Sequence, residues 1–279
     1  MSMSAGAAEA ADGAAVLWSG MRIPILLNGT RLRGALLGSW LAAAGAVAQS
    51  DDQWRDIESR IQYGYYTEDA PALRHLAELV AAGDEHDRLR GYYGGLRAWR
   101  LAALAARSPA AVPGTTATAL AQLCVREVNG ALALQADFAD ALALRFACLA
   151  VPFGTGAGYA SIGAQGARKD LGRALQLAAH NPRVLLVDAM AEYELAATKS
   201  GNRERALAKV RQAVTAFEAE RSGTEQLPGW GAAEAWQLLG RELLDHADTV
   251  GARDALEHAL LIAPEFTQAR RLMAKIISG

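Results

Sequence analysis

The last third of the chain carries a pattern that leaves little freedom of fold. In "AEAWQLLGRELLDHADTVGARDALEHALLIAPEF", residues 233–266, Trp236, Leu239 and Leu243 recur at i, i+3 and i+7 and so share one face of a helix. Gly240 and Ala252 are small where a second helix has to come close, and Leu256 and Ala259 continue that helix's apolar face. Pro264 cannot extend it and ends the unit. Two antiparallel helices of this kind bury only part of their apolar surface against each other. They need further pairs stacked beside them.

Further pairs are legible upstream. "LCVREVNGALALQADFADA" aligns with "GARDALEHALLIAPEFTQA", placing Cys124 on Ala252, Ala131 on Ala259, Phe138 on Phe266 and Ala141 on Ala269. "NRERALAKVRQAVTAFEA" puts Ala206 and Ala213 at the two small positions of another second helix, with a first helix over 183–199. Repeats therefore start near Ala139, Val187 and Ala233. Amphipathic helices at "PALRHLAELVAA" and "DRLRGYYGGLRAWRLAALAA" extend the series, giving five helix pairs and a capping helix over 266–277.

The Trp-x2-Leu-Gly spacing with small residues and a closing proline at fixed offsets resembles the tetratricopeptide repeat, firmly over 233–266 and more loosely over 115–232. The "PGWG" and "HNPRVLL" stretches are similar to text in exported bacterial members of that family of unknown function. The resemblance implies an all-α, right-handed helical-repeat solenoid over residues 49–279. Its concave groove would be lined by the first helix of each pair. Positions 2, 5 and 9 of the three repeats fall on Asp140, Ala143 and Ala147, on Asp188, Ala191 and Leu195, and on Glu234, Gln237 and Arg241. The groove would then have an acidic rim (Asp140, Asp188, Glu234) over a floor of small residues. The same acids also suit helix N-termini, where the dipole favours negative charge.

Repeat starts at 139 and 187 are 48 residues apart, 14 more than one repeat. The excess falls on "VPFGTGAGYASIGAQGARKD", residues 151–170, which reads as a flexible inter-helix loop. A phosphate-binding role fails on its residues. After Gly158 and Gly163, Ala164 and Gln165 stand where a P-loop needs Lys and Ser/Thr, and helical rather than strand text precedes it. A second insertion, "ERSGTEQLPGWGAA", lies before the last repeat.

At the other end, residues 21–48 combine three arginines (Arg22, Arg31, Arg33) and no acid with an apolar run, Ala35 to Ala48, that ends Ala-Val-Ala. A basic n-region, a short h-region and an A-x-A site make a cleavable signal peptide, with cleavage after Ala48 and export to a periplasm. The apolar run is shorter than a bilayer span, so no membrane span is expected after cleavage. Residues 1–20 then read as a mis-called extension, with Met21 the expected initiator.

With 28 basic and 30 acidic residues the net charge of −2 offers no footprint for nucleic acid. His75, His86, His180, His246 and His258 lack metal-ligand spacing, and no catalytic motif is present, so no enzyme, cofactor or metal is expected. Cys124 and Cys148 lie in Ala/Leu-rich helical text, where they pack as small apolar residues. An oxidising compartment also permits a bridge between them. Tyr63, Tyr65, Tyr66, Tyr92, Tyr93 and Trp99 read as core wedges between the N-terminal helices. The expected function is a protein-interaction adaptor that docks a polypeptide in its groove. The alternative is a carrier of a small apolar ligand with residues 153–167 as its lid; an enzyme whose site is assembled in space and carries no sequence motif ranks third.

Overall fold

The computed structural model describes residues 35–151, 162–197, 202–220 and 226–278, with side chains from Asp51 onward and, in the sixth helix, from Ala167. The extension at 1–20, residues 21–34 of the expected signal peptide and residues 153–161 of the expected lid lie outside the described residues. The chain divides into two units, 1–46 and 47–279. Of the first, the helical backbone of 35–46 is described.

Among the described residues the protein is all-helical, with eleven α-helices and no strand: α1 (Ala35–Tyr66), α2 (Ala70–Ala81), α3 (Arg88–Arg107), α4 (Ala117–Leu134), α5 (Ala139–Ala150), α6 (Ile162–Leu177), α7 (Pro182–Ala196), α8 (Arg203–Glu220), α9 (Ala232–Asp245), α10 (Thr249–Ile262) and α11 (Thr267–Ser278). None is long and apolar enough to cross a membrane. Side-chain caps set several starts. Asp69, Asp87, Thr116, Asn181 and Asp248 each accept a backbone N–H from the first turn that follows, at α2, α3, α4, α7 and α10. Pro71 and Pro182 occupy the first helical turn, where a missing N–H costs nothing.

Helices pack as sequential pairs: α3 on α4, α5 on α6, α7 on α8, α9 on α10. In the last pair a Cβ on Gly240 would stand 2.7 Å from Leu256 Cγ, so glycine is what lets α9 and α10 approach. The first helix of each pair also packs on the next: α3 on α5, α5 on α7, α7 on α9. Trp54 of α1 stacks on Tyr93 of α3 at 5.5 Å between ring centroids. Gln62 and Tyr66 of α1 meet Glu234 of α9. The cycle α1, α3, α5, α7, α9 is therefore closed. Ten of the twelve residues of α5 are buried, against four of the fourteen of α10. First helices line the centre and second helices face solvent. Phe266, before α11, packs on Tyr66 at 4.5 Å, and Arg271 pairs with Glu68, so the C-terminal end leans on α1 and the turn after it.

One expectation needs correcting. Within the stretch read as a loop, residues 162–170 are helical and open α6. Ala164, Gln165, Ala167, Arg168 and Lys169 are good helix formers, and together they outweigh Gly163 and Gly166.

Candidate functional site

Polar side chains gather where the first helices meet. Along α3, Tyr92, Leu96, Trp99 and Arg100 recur at i, i+4, i+7 and i+8 and turn inward together. Glu58, Gln62, Tyr65 and Tyr66 do the same on α1. Glu234 enters from the first turn of α9. The Arg100 guanidinium donates to Glu234 Oε1 and, at 3.1 Å, to Gln62 Oε1. Glu234 also accepts Gln62 Nε2 at 2.9 Å and the Tyr66 hydroxyl at 2.6 Å. The guanidinium lies over three rings: Tyr65 at 4.2 Å, Trp99 at 4.6 Å and Trp230 at 4.8 Å. Desolvation makes each of these cation–π contacts stronger than it would be in water. The Arg100 and Glu234 side chains are 1% and 3% exposed. Arg100 Nη2 makes both hydrogen bonds and the three rings cover the guanidinium, while Arg100 Nε has no hydrogen-bond partner among the described residues. The ion pair and the rings offset the cost of burying the charge.

A second node adjoins the first. Glu58 accepts the Tyr93 hydroxyl at 2.7 Å and the Gly229 backbone N–H at 2.9 and 3.0 Å. Burial pushes the Glu58 carboxyl above the usual carboxylate range, against those hydrogen bonds. Arg183 of α7 donates to Asp140 of α5 at 3.0 Å and to both oxygens of Glu220 of α8. Asn181 adds a bond to Asp140 at 2.8 Å. Burial raises Asp140 too, while burial of Arg183 is outweighed by Glu220 and Asp140, which hold its cation firmly charged. Tyr66 is raised well above a free phenol by burial and by the charge of Glu234.

Into this centre runs the segment Gln226–Gly231 that leads to α9. Its Trp230 is 3% exposed, donates Nε1–H to the Tyr92 hydroxyl at 2.7 Å and lies against Trp99 at 5.8 Å. Gly231 sits at φ +116°, with Phe217 Cζ 2.6 Å from where a Cβ would stand. Glu58, Asp140 and Glu234 are buried, while the Glu220 side chain keeps 32% exposure. Each buried acid of this cluster accepts from at least two donors: Glu58 from Tyr93 and Gly229, Asp140 from Arg183 and Asn181, Glu234 from Arg100, Gln62 and Tyr66.

The structure separates the nine groove residues expected from sequence. Asp140 and Glu234 join the central polar cluster, each paired to an arginine. Ala143, Ala147, Ala191 and Gln237 are buried. Asp188 instead faces α8, where Lys209 binds it at 2.8 Å. Leu195 is half-buried, and Arg241 lies over the Tyr193 ring at 4.6 Å. The reason for Asp188 is register: α7 begins at Pro182, more than a turn before the repeat start at Val187. Sequence reasoning missed Glu58, Gln62, Arg100, Arg183 and Trp230. A charged residue on an otherwise apolar face, as Arg100 is after Tyr92 and Leu96, was the available signal.

Cys124 of α4 and Cys148 of α5, both fully buried, are joined as a disulfide. Beside them an open cleft of about 320 Å³ is lined by Ala121, Gln122, Val125, Arg126, Cys148 and Leu149. Of the aromatic wedges, Tyr65, Tyr66, Tyr92, Tyr93 and Trp99 are buried, while Tyr63 is 59% exposed. Among the described residues no group of three or more His, Cys, Asp or Glu is placed to hold a metal. No protein-family model matches the chain, and no curated protein matches it either.

Proposed function

We propose that this protein is an exported, tetratricopeptide-like helical-repeat adaptor that holds an extended polypeptide segment against the inner face of its first helices. The observation that carries this reading is the seat of Gln226–Gly231. There a buried carboxylate, Glu58, accepts a backbone N–H, and an indole fills a slot between Tyr92, Trp99 and Arg100. Those are the elements by which a protein surface grips an extended chain: a main-chain acceptor for alignment and an aromatic anchor for affinity. Four packed sequential pairs, α3 to α10, followed by α11 support the repeat reading. The Cys124–Cys148 bridge supports export, since disulfides persist in oxidising compartments. The basic and apolar text of residues 21–48 points the same way.

A second reading, carriage of a small apolar ligand, is favoured by the cleft between α4 and α5, whose volume falls within the range of ligand pockets. Native mass spectrometry of the mature protein, recovered gently from the periplasm of its host, separates the two. A co-isolated polypeptide displaced by a competing indole-bearing peptide supports the adaptor. An added mass of a few hundred daltons, typical of ligands that such a pocket encloses, supports the carrier and removes the adaptor.

A further inference from the structure

Toward the C-terminal ends of the inner helices, the faces that build the central cluster change character. On α9, Glu234, Gln237 and Arg241 recur at i, i+3 and i+7, as Asp140, Ala143 and Ala147 do on α5. On α7, Arg183, Ala191 and Glu194 share a face at i, i+8 and i+11. At the first position of each series the charge is buried and paired, Arg183 with Asp140 and Glu234 with Arg100. Further along, the polar groups have no such partners. Gln237 is 7% exposed, and its amide makes no hydrogen bond with any described residue. Arg241 and Glu194 are half-buried, and neither makes a hydrogen bond or ion pair with a described residue. The Arg241 guanidinium rests on the Tyr193 ring at 4.6 Å, a contact that leaves its N–H donors unused. That ring is itself held, its hydroxyl donating to Asp245 at 2.9 Å. Burial raises the Glu194 carboxyl, and the charges of Arg241 and Arg203 oppose the rise, so the anion stands within the field of Arg241. Arg203 is already engaged by Asp245 and Glu242. Between these groups Ala143, Ala147 and Ala191 present only methyl groups.

A half-buried cation and a half-buried anion are both partly desolvated, and no described residue compensates either with a hydrogen bond. A ligand with one charge answers one of them and confronts the other. A zwitterion answers both. We propose that this face is a binding site for a free α-amino acid with an aliphatic side chain. Its carboxylate accepts from the Arg241 guanidinium and the Gln237 amide, its ammonium donates to Glu194, and its side chain lies on the three alanines. The site stands apart from the adaptor reading, because it takes a small molecule through different residues from those that seat Gln226–Gly231.

The test is calorimetric titration of the mature chain, residues 49–279, with L-valine and L-leucine. For each, the acid lacking the amino group and the amine lacking the carboxyl serve as controls. The expected result is binding of at least one amino acid, with both of its truncated analogues at least about tenfold weaker, as the loss of a charged hydrogen bond requires. Arg241→Met should weaken the amino acid by a similar factor. Glu194→Gln should do the same and also abolish the preference for the amino acid over the deaminated acid, an effect that loss of structure would not produce. Should Arg241→Met fail to fold by circular dichroism, Glu194→Gln and Arg241→Lys decide, the latter keeping the charge but losing the fork that matches a carboxylate. Silence with both amino acids overturns the proposal. So does a deaminated acid that binds wild type as tightly as its amino acid, or a folded Glu194→Gln that behaves as wild type. A polypeptide co-isolated from the host alongside silent titrations leaves the adaptor standing and removes only this site.

Discussion

Arg100 and Glu234 lie 134 residues apart in the chain and meet as a buried ion pair at the centre of the helix cycle. A buried charge without its partner is costly, so Arg100→Met alone or Glu234→Leu alone is expected to remove about 3–5 kcal/mol of stability, read from urea unfolding. The double variant Arg100→Met/Glu234→Leu should recover more than half of that loss. A single variant that costs less than about 1 kcal/mol would mean that water reaches the pair.

Trp230 and Tyr92 offer a cleaner double-mutant cycle. Trp230→Phe keeps a ring in the slot but leaves the Tyr92 hydroxyl, fully buried, without its donor. The expected loss is about 1–3 kcal/mol beyond the change in packing. Trp230→Phe/Tyr92→Phe should be no worse than Trp230→Phe, because the orphaned hydroxyl has gone. Additive losses would show that the hydrogen bond contributes little.

The Cys124–Cys148 bridge closes a loop with a sequence separation of 24. Loop-closure entropy for that length gives about 3 kcal/mol, so the reduced protein should unfold at correspondingly lower urea. Alkylation of the unfolded, unreduced protein should label neither cysteine, and reduction beforehand should expose both. Labelling without reduction would show two free thiols.

Glu58 makes a pH-dependent contribution with a definite sign. Burial raises its folded pKa above the ordinary 4.5. The folded state then binds this proton more tightly than the unfolded one, and stability falls as pH rises from about 4.5 through the raised value. Glu58→Gln keeps an acceptor for the Gly229 N–H and removes the ionisation. Its melting temperature should match the wild type near pH 4 and exceed it by about 2 °C or more above neutrality. A gap that narrows as pH rises would reverse the sign and refute the assignment.

Gly231→Ala tests the close approach at the end of the segment. With φ at +116° and Phe217 against the missing Cβ, the substitution should cost about 1–3 kcal/mol in thermal or urea unfolding. Gly130→Ala is the control: a Cβ at Gly130 meets nothing within 4 Å, and in the middle of α4 it should stabilise slightly.

Helix pairing was legible because it rests on local periodicity. Trp236, Leu239, Gly240 and Ala252 are close in sequence, and their spacing alone dictates how α9 meets α10. The expected capping helix over 266–277 corresponds to Thr267–Ser278 for the same reason. What escaped was set by distant parts of the chain. Gln62 finds Glu234 across 172 residues, and Glu58 finds Gly229 across 171, and no pattern within a helix announces either contact. Register failed in α7, where two insertions of unequal length left the repeat start to be judged from weak similarity. The helix itself was expected over 183–199 and spans Pro182–Ala196; its cap Asn181 and first-turn Pro182 were the better anchor for the repeat start. The acids Asp140 and Glu234 sit in first turns, as the dipole argument allows, yet each is also half of an ion pair that a single helix could not reveal.

The closure of α1 on α9 has a consequence for how such a chain can change length. An open stack of repeats gains or loses a unit at modest cost, because each unit touches only its neighbours. Here the first and last inner helices share Glu234, Gln62 and Tyr66. Duplicating or deleting one pair would part those residues by the width of a helix and leave Arg100 facing a gap. The number of pairs is fixed by circumference, as the number of staves is in a cask. Variation in descendants of this sequence should therefore accumulate in the connections between pairs, where insertions lengthen a loop without widening the ring.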